Sequence, residues 1–436
     1  MLNRNLSRRD FLGTSTLGAL AGAAALADPI RAAAQSVGIK PTDLPDLTIT
    51  EVKVYVANLG SIHKFNSPES GEICSIVTAC GIEGNYTIGN RVPGTGWLAY
   101  AKETCLGKNV IDLLPVLSAR TAPRNRQSSP VNFVGGFGYP NGMTLGTAND
   151  VNYHAALIDV ILWDILGKAV NRPIYRLLGG TRDKMLAYAS SQHLPALEDF
   201  APQALEAKAN YFRAYKIHPG RGQHRVATPE PIPSYVGHIE EIRSVRKAMG
   251  DEFTLLFDPV QQYNVHEALA VGHVLEECGF VSFEDPIPST DIEGLIYLRQ
   301  KLTVPIEVGE FLYSVQAFAE YIRRGAMDIV RLIADNVGGI TGSFRIGQLA
   351  DAFGMPCTPH NWGNGYDLAV HMHVELALPN CYWFEMPYSP LQVDRPYLKH
   401  KFRLDKDGYV AAPTGPGLGM ELDRDALDKI MLRIER

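Results

Sequence analysis

The chain has 436 residues, 46% hydrophobic and 20% charged, the composition of a folded globular protein with length for a large core and a second domain. A formal net charge of −6 and a pI near 6.1 leave no general basic footprint, which argues against a nucleic-acid partner. The six cysteines show no CxxC pair and no metal-finger spacing; they read as reduced core thiols, although export would permit a disulfide.

Residues 1–34 read as an export signal that lies outside the fold. Ser7-Arg8-Arg9-Asp10-Phe11-Leu12 is a twin-arginine pattern, a mildly apolar Ala/Gly/Leu stretch runs to Leu26, and Ala32-Ala33-Ala34 offers an A-x-A cleavage site before Gln35. The stretch is too short to span a bilayer, and no later segment approaches that length. The expectation is a mature protein that is periplasmic or exported by the twin-arginine route, with no stable membrane insertion after cleavage.

Thr48–Val56 alternates and predicts a strand. The segment 57–72, with His63, Lys64 and Phe65, is a loop, either a mobile flap or a long connection. From about 100 to 150 the chain is rich in Pro and Gly, with helical patterning over Lys108–Ala119 and Ala148–Val170. The second of these is apolar nearly all round and is expected to be buried. Strands MLAYAS and FRAYKIH follow, ending at Ser190 and His218. The 40 residues from His218 to Asp258 hold an insertion rich in Arg, His and Pro.

The second half of the chain has a rhythm. Asp258, Glu284, Glu310, Asp335, His360 and Glu385 stand 26, 26, 25, 25 and 25 residues apart. The first five end, or nearly end, the apolar runs TLLFD, GFVSFE, VPIEVGE, IVRLIAD and GMPCTPH, and helical patterning follows most of them. A strand, loop and helix at this period is one βα unit. Several in succession predict a (β/α) barrel whose polar groups gather at the C-terminal ends of the strands, where such barrels carry their chemistry. Beyond Glu385 the rhythm stops, and the turn-rich tail is expected to return to the N-terminal domain.

Asp258, Glu284 and Glu310 would converge at one mouth of the barrel. Unpaired, they would repel one another, and burying them would be costly. A hard divalent cation resolves that conflict, and an all-oxygen ligand set points to Mg²⁺.

The text LIDVILWDILGKAVNRPIYRLLGG, FEDPIP around Glu284, VGE at Glu310, NVGGITG and DGYV…PTGPGLG resembles the enolase superfamily, in its mandelate racemase/muconate lactonizing enzyme branch, over nearly all of the mature chain. The resemblance implies a modified (β/α)₇β TIM-type barrel over 151–390 and an α+β capping domain formed by 45–150 and the C-terminal segment 391–436. It places the family's three metal ligands on Asp258, Glu284 and Glu310. The Asn often found two residues after the first ligand is Val260 here.

The same resemblance implies removal of a proton α to a carboxylate, with Mg²⁺ stabilising the enediolate and a Lys or His as base. Lys216 and His218 stand where the family has Lys-x-Lys, and residues i and i+2 of a strand share a face. His218 takes the position of a base; Lys216 would contact the substrate carboxylate or tune His218. His360 matches the family's histidine on the seventh strand. The Asp that orients it in the family is Ile333 here, so His360 should be less basic and act mainly as an acid. Asp335, two residues on, either serves His360 or caps the turn. Glu385 matches an acid that hydrogen-bonds the enediolate and, beside other acids, would be held protonated as a donor. Ser190, Asn361 and Trp362 are candidate substrate contacts by position; His371 and His373 read as structural.

The expected function is Mg²⁺-dependent dehydration of a sugar acid, an aldonate or aldarate, to a 2-keto-3-deoxy acid. A racemase, epimerase or lactone cycloisomerase is the enzymatic alternative, and an exported binding protein without turnover the non-enzymatic one. The partner is a small carboxylate, and the family implies a homo-oligomer, a dimer or octamer.

Overall fold

The computed structural model describes residues 44–59, 70–88, 94–120, 150–194, 196–220, 234–388 and 394–436. The export signal, residues 60–69 of the expected 57–72 loop and much of the insertion before residue 234 lie outside the described residues, while residues 57–58 and 70–72 of that loop are strand. No helix among the described residues is long and apolar enough to cross a membrane.

Two sheets organise the chain. Strands β1 (Ile49–Asn58), β2 (Ser70–Thr78) and β3 (Glu83–Ile88) form an antiparallel sheet with the last strand of the chain, β12 (Met431–Glu435), in the order β12-β1-β2-β3. The second sheet is parallel: β4 (Lys184–Ser190), β5 (Ala214–Ile217), β6 (Thr254–Phe257), β7 (Ser282–Glu284), β8 (Ile306–Val308) and β9 (Ile329–Val330) follow in sequence order, and β10 (Trp383–Pro387) pairs back onto β4. Between β9 and β10 the remaining barrel position is a single bridge, Val330 to Cys357, whose amide donates to Asn380 O at 3.0 Å. These connections close a TIM-type barrel. The tail divides: β12 joins the first sheet, while β11 (Tyr409–Ala411) pairs antiparallel with β4.

Strand and helix chemistry account for the alternation. The barrel strands are short apolar runs buried on both faces, as parallel strands under helices must be. The helices after β6, β7, β8 and the Cys357 bridge start on side-chain caps at Asn264, Asp291, Ser314 and Asn364. Each cap satisfies an orphan amide of the first turn, and Asn264 and Asn364 make full capping boxes. A cap just past a strand end fixes where the loop stops, and so how far its polar residues reach over the barrel mouth.

The helix Asp150–Ala169 joins the two sheets, packing on β3 on one side and on the helix Gly339–Ala352 on the other. Its buried face is apolar but for His154 and two aspartates, and the aspartates clamp chain turns. Asp159 accepts from Thr341 N at 3.0 Å and Thr341 Oγ1 at 2.6 Å. Asp164 accepts from Asn85 N of β3, Lys168 Nζ and Leu418 N at 3.1, 2.6 and 2.9 Å. Their turn partners are glycines of necessity: Gly339 and Gly417 have φ of 74° and 69°, and a Cβ there would lie 2.5 and 2.2 Å from Asp159 Oδ2 and Asp164 Oδ1.

A second link crosses from the first sheet. Tyr86, fully buried on β3, places its hydroxyl 2.9 Å from Asp335 Oδ1 and 2.8 Å from Asp367 Oδ1. A phenol has one proton for two acceptors, so one carboxyl must hold a proton of its own; burial pushes Asp367 up.

Asp159 supplies a pH test of this architecture. Burial, outweighing the Thr341 hydrogen bonds, pushes its carboxyl up to about 7. The native state therefore binds a proton that the unfolded chain releases near pH 4. That stabilisation is complete below about pH 4 and is lost as pH rises through about 7. Across this window the wild type should lose stability relative to Asp159→Asn, by on the order of 4 kcal/mol at most. Denaturant midpoints of both proteins at several pH values measure the difference; parallel curves would show that Asp159 does not titrate there.

Candidate active site

The strand ends of the barrel bring acids and cations together out of solvent. Lys216, fully buried on β5, places Nζ 2.7 Å from Glu284 Oε2, 2.7 Å from Glu385 Oε1 and 3.6 Å from Asp258 Oδ2. His218, two residues on, shares its face: Nε2 is 2.8 Å from Asp258 Oδ2, and Nδ1 is 2.7 Å from the Ser191 carbonyl oxygen. A carbonyl only accepts, so Nδ1 carries a proton. The ring lies edge-on to Trp362 and His193, at centroid distances of 5.2 and 5.5 Å.

Across the mouth, His360 Nε2 faces Glu310 Oε2 at 3.4 Å. A fifth of the His360 side chain is exposed. Burial lowers its pKa well below the usual histidine value, Arg331 and Lys216 add to that, and Glu385 opposes it without prevailing. The ring is therefore neutral, with one N–H and one free lone pair, which fits it for a base rather than for the imidazolium acid expected of it. Ile333, in place of an orienting Asp, is the N-cap of the short helix Ala334–Val337, and Asp335 in its first turn accepts from Tyr86.

Glu385 is ionised. Burial alone would push its carboxyl up, but Arg331 and Lys216 outweigh burial and hold it well below the usual carboxylate range. Oε1 accepts from Ser190 Oγ at 2.7 Å and meets Lys216; Oε2 accepts from Asn361 N at 2.8 Å and from Arg331 Nη2. The expectation of a protonated Glu385 thus gives way to an acceptor fixed by four donors. One of the expected substrate contacts, Ser190, is spent on it, whereas the buried side-chain amide of Asn361 keeps no hydrogen-bond partner. Ser190 Oγ donates to Glu385 and accepts from Trp362 Nε1 at 2.9 Å, and Asn361 holds Glu385 through its backbone. Both are buried, whereas Trp362 stays half-buried.

Glu284, Asp285 and Glu310 each bring one carboxylate oxygen within 4.8 Å of the others. Buried oxygens of all three, Glu284 Oε1, Asp285 Oδ2 and Glu310 Oε2, have no hydrogen-bond donor. Burial and neighbouring carboxylates push all three carboxyls well up, Glu310 to about 7. Hard, clustered, donor-free oxygens suit a divalent cation such as Mg²⁺, which would displace those protons. Asp258, expected as the third ligand, sits beside this cluster with Oδ2 turned to His218 and Lys216 and Oδ1 accepting from Val260 N at 2.8 Å. Val260, Gln261 and Asp285 have φ of 52°, 62° and 35°, a left-handed run of non-glycine residues beside the cluster.

Two residues outside the expected set complete the interior. Glu307 accepts from Ser282 and Thr358 hydroxyls. Arg331, wholly buried, makes ion pairs with Glu284, Glu307, Glu310 and Glu385.

Residues 199–426 match the family model of the enolase C-terminal domain-like proteins. An arabinonate dehydratase of Saccharolobus solfataricus is 31% identical over 266 residues, 60% of this chain and 68% of that protein. A D-gluconate dehydratase of Thermoproteus tenax is 29% identical over 276 residues, 62% of this chain but only 55% of that protein. The crystal structure of a D-glucarate dehydratase from Agrobacterium tumefaciens, complexed with magnesium, superposes with a TM-score of 0.73 at 26% identity, covering 89% of this chain and all of that one.

The cluster predicts a thermal response. Mg²⁺ should raise the melting temperature of the wild type by several degrees, as ligand linkage requires. Glu310→Gln, which keeps the shape but removes one hard anionic donor, should lose most of that shift in a melting assay with and without Mg²⁺. An equal shift in the variant would remove Glu310 from the cation site.

Proposed function

We propose, for a chain that belongs to the enolase superfamily, the dehydration of a sugar acid, an aldonate or aldarate, to a 2-keto-3-deoxy acid. The observation that carries this reading is the unlike surroundings of two histidines on opposite sides of one acidic mouth. His218 places Nδ1 against the Ser191 carbonyl oxygen and Nε2 against the Asp258 carboxylate. Burial with Arg331 and Lys216 keeps His360 neutral. Two unlike acid/base groups suit elimination better than a symmetric two-base exchange.

His360 takes the proton from C2 of the substrate. The electron pair left behind expels the hydroxyl on C3, which leaves as water with a proton from His218. The enol across C2 and C3 then tautomerises to the ketone, so the net change is loss of one water. Mg²⁺ held by Glu284, Glu310 and either Asp258 or Asp285 would supply the Lewis acidity that makes the proton on C2 removable. Glu385, anionic and fixed by Ser190, Lys216, Arg331 and the Asn361 amide, holds Lys216 in place. Relatives named as dehydratases of arabinonate and gluconate support the substrate class.

The same reading makes the mature protein periplasmic or exported, supported by the order of parts in residues 1–34. It also makes the protein a homo-oligomer, which rests on the family resemblance alone.

Proton NMR in D₂O with Mg²⁺, against a panel of aldonic and aldaric acids and their lactones, tests the mechanism. The wild type should form a 2-keto-3-deoxy acid. His360→Gln should lose both product and exchange of the proton on C2, by about 10²–10⁴-fold. His218→Gln should keep that exchange while losing dehydration by a similar factor. Exchange lost in the His218 variant and kept in the other would reverse the two roles. Exchange without elimination would make the protein a racemase or epimerase, and lactone rearrangement a cycloisomerase. Bound Mg²⁺ with neither exchange nor product would leave a binding protein.

A further inference from the structure

Arg331 continues β9 by one residue, its amide donating to Val308 O at 3.1 Å, and its side chain reaches inward across the barrel. The two edges of its guanidinium behave differently. Nη2 donates to Glu385 Oε2; Nη1 lies 3.2 Å from Tyr188 Oη, 3.4 Å from Glu307 Oε1 and 3.4 Å from Thr358 O. The Nε edge approaches Glu284 Oε1 closely and Glu310 Oε2 at 3.7 Å, yet Nε has no hydrogen-bond partner, and neither does either of those oxygens. Toward these two members of the acidic cluster the arginine presents charge rather than a directed bond.

Charge explains why it is there. Asp258, Glu284, Asp285, Glu307, Glu310 and Glu385 are all buried, against two permanent cations, Lys216 and Arg331. Lys216 serves the side of Asp258, Glu284 and Glu385; Arg331 alone meets Glu307 and Glu310. Wholly buried, Arg331 has no surface with which to touch a substrate.

We infer that Arg331 is an internal counter-cation: it holds the carboxylate cage together while no metal is bound, and its charge weakens the affinity for the metal that enters. The inference rests on the cage being the metal site of the proposed reaction. Arg331 is then a positioning residue for Glu284 and Glu310. It shares their negative field with the incoming ion, so two cations a few ångströms apart in a low-dielectric interior disfavour one another.

Arg331→Gln removes the charge and keeps a polar side chain; Arg331→Lys keeps the charge and loses the fork. The experiment is calorimetric titration with Mg²⁺ and thermal melts in EDTA and in saturating Mg²⁺. For Arg331→Gln the Kd for Mg²⁺ should fall by about tenfold. Its melting temperature should drop more in EDTA than in Mg²⁺, while Arg331→Lys should bind Mg²⁺ within about threefold of the wild type. Equal loss of stability under both conditions, with Kd unchanged or weaker, would reduce Arg331 to packing and overturn the inference. Should Arg331→Gln not fold, a Kd shifted by tenfold or more in Arg331→Lys overturns it as well. A wild type that binds no Mg²⁺ overturns both the inference and the metal site; a wild type that binds it while the variants stay indifferent overturns the inference alone.

Discussion

The structure depends on keeping six buried carboxyl groups in one barrel mouth. Six like charges out of water cannot stand unopposed, since desolvation and mutual repulsion each disfavour the ionised forms. The chain answers in three ways. Lys216 and Arg331 hold Glu385 ionised. His218, Lys216 and Arg331 do the same for Asp258 against its burial. Glu284, Asp285 and Glu310 are left with donor-free oxygens and raised pKa values, the state in which carboxyls take up either protons or a metal. Lys216 and Arg331 also meet Glu284, and Arg331 meets Glu310, but one oxygen of each of these three acids keeps no hydrogen-bond donor and is open to a cation.

The scaffold that holds this arrangement is polar at its joints as well. The helix Asp150–Ala169 would slide against its neighbours if only apolar faces met. Asp159 and Asp164 prevent that by clamping Thr341 and Leu418 across turns whose glycines admit the close approach. Tyr86 adds a third joint between β3 and the two segments that follow β9 and the Cys357 bridge. The loop between that bridge and Asp367 carries His360, Asn361 and Trp362, so the joint bears on the placement of the histidine over the mouth. Sugar-acid chemistry needs such fixing, because a misplacement of about 1 Å at a reacting group costs roughly 10²-fold in rate.

Much of this was legible in the chain. The 25–26 residue interval located the barrel strand ends, because one βα unit has nearly constant length and polar residues interrupt apolar runs only where strands emerge. Asp285 escaped because strand alternation assigns it to the face opposite Glu284; its φ of 35° breaks the period and turns both toward the cluster. Arg331 escaped because a lone arginine in IVRLIAD carries no mark of burial: its partners Glu284, Glu307 and Glu385 are 24 to 54 residues away and meet it only when the barrel closes. Glu385 reads as a protonated donor from the sequence for the same reason: its acidic neighbours and Lys216 are visible in the pattern, and Arg331 is not.

Two residues of one strand end therefore act together on His360. Ile333 removes the carboxylate that would raise the basicity of His360, and Arg331, two residues earlier, adds a positive charge that lowers it further. An Asp at 333 would favour the imidazolium and bring the two histidines toward equivalence, which suits reversible proton exchange between two faces. With Ile333 and Arg331 the field is asymmetric: His218 faces the Asp258 carboxylate, while burial with Arg331 and Lys216 keeps the His360 ring neutral. The asymmetry that an elimination needs between its two acid/base groups is thus built by the charges of the strand ends before any substrate arrives.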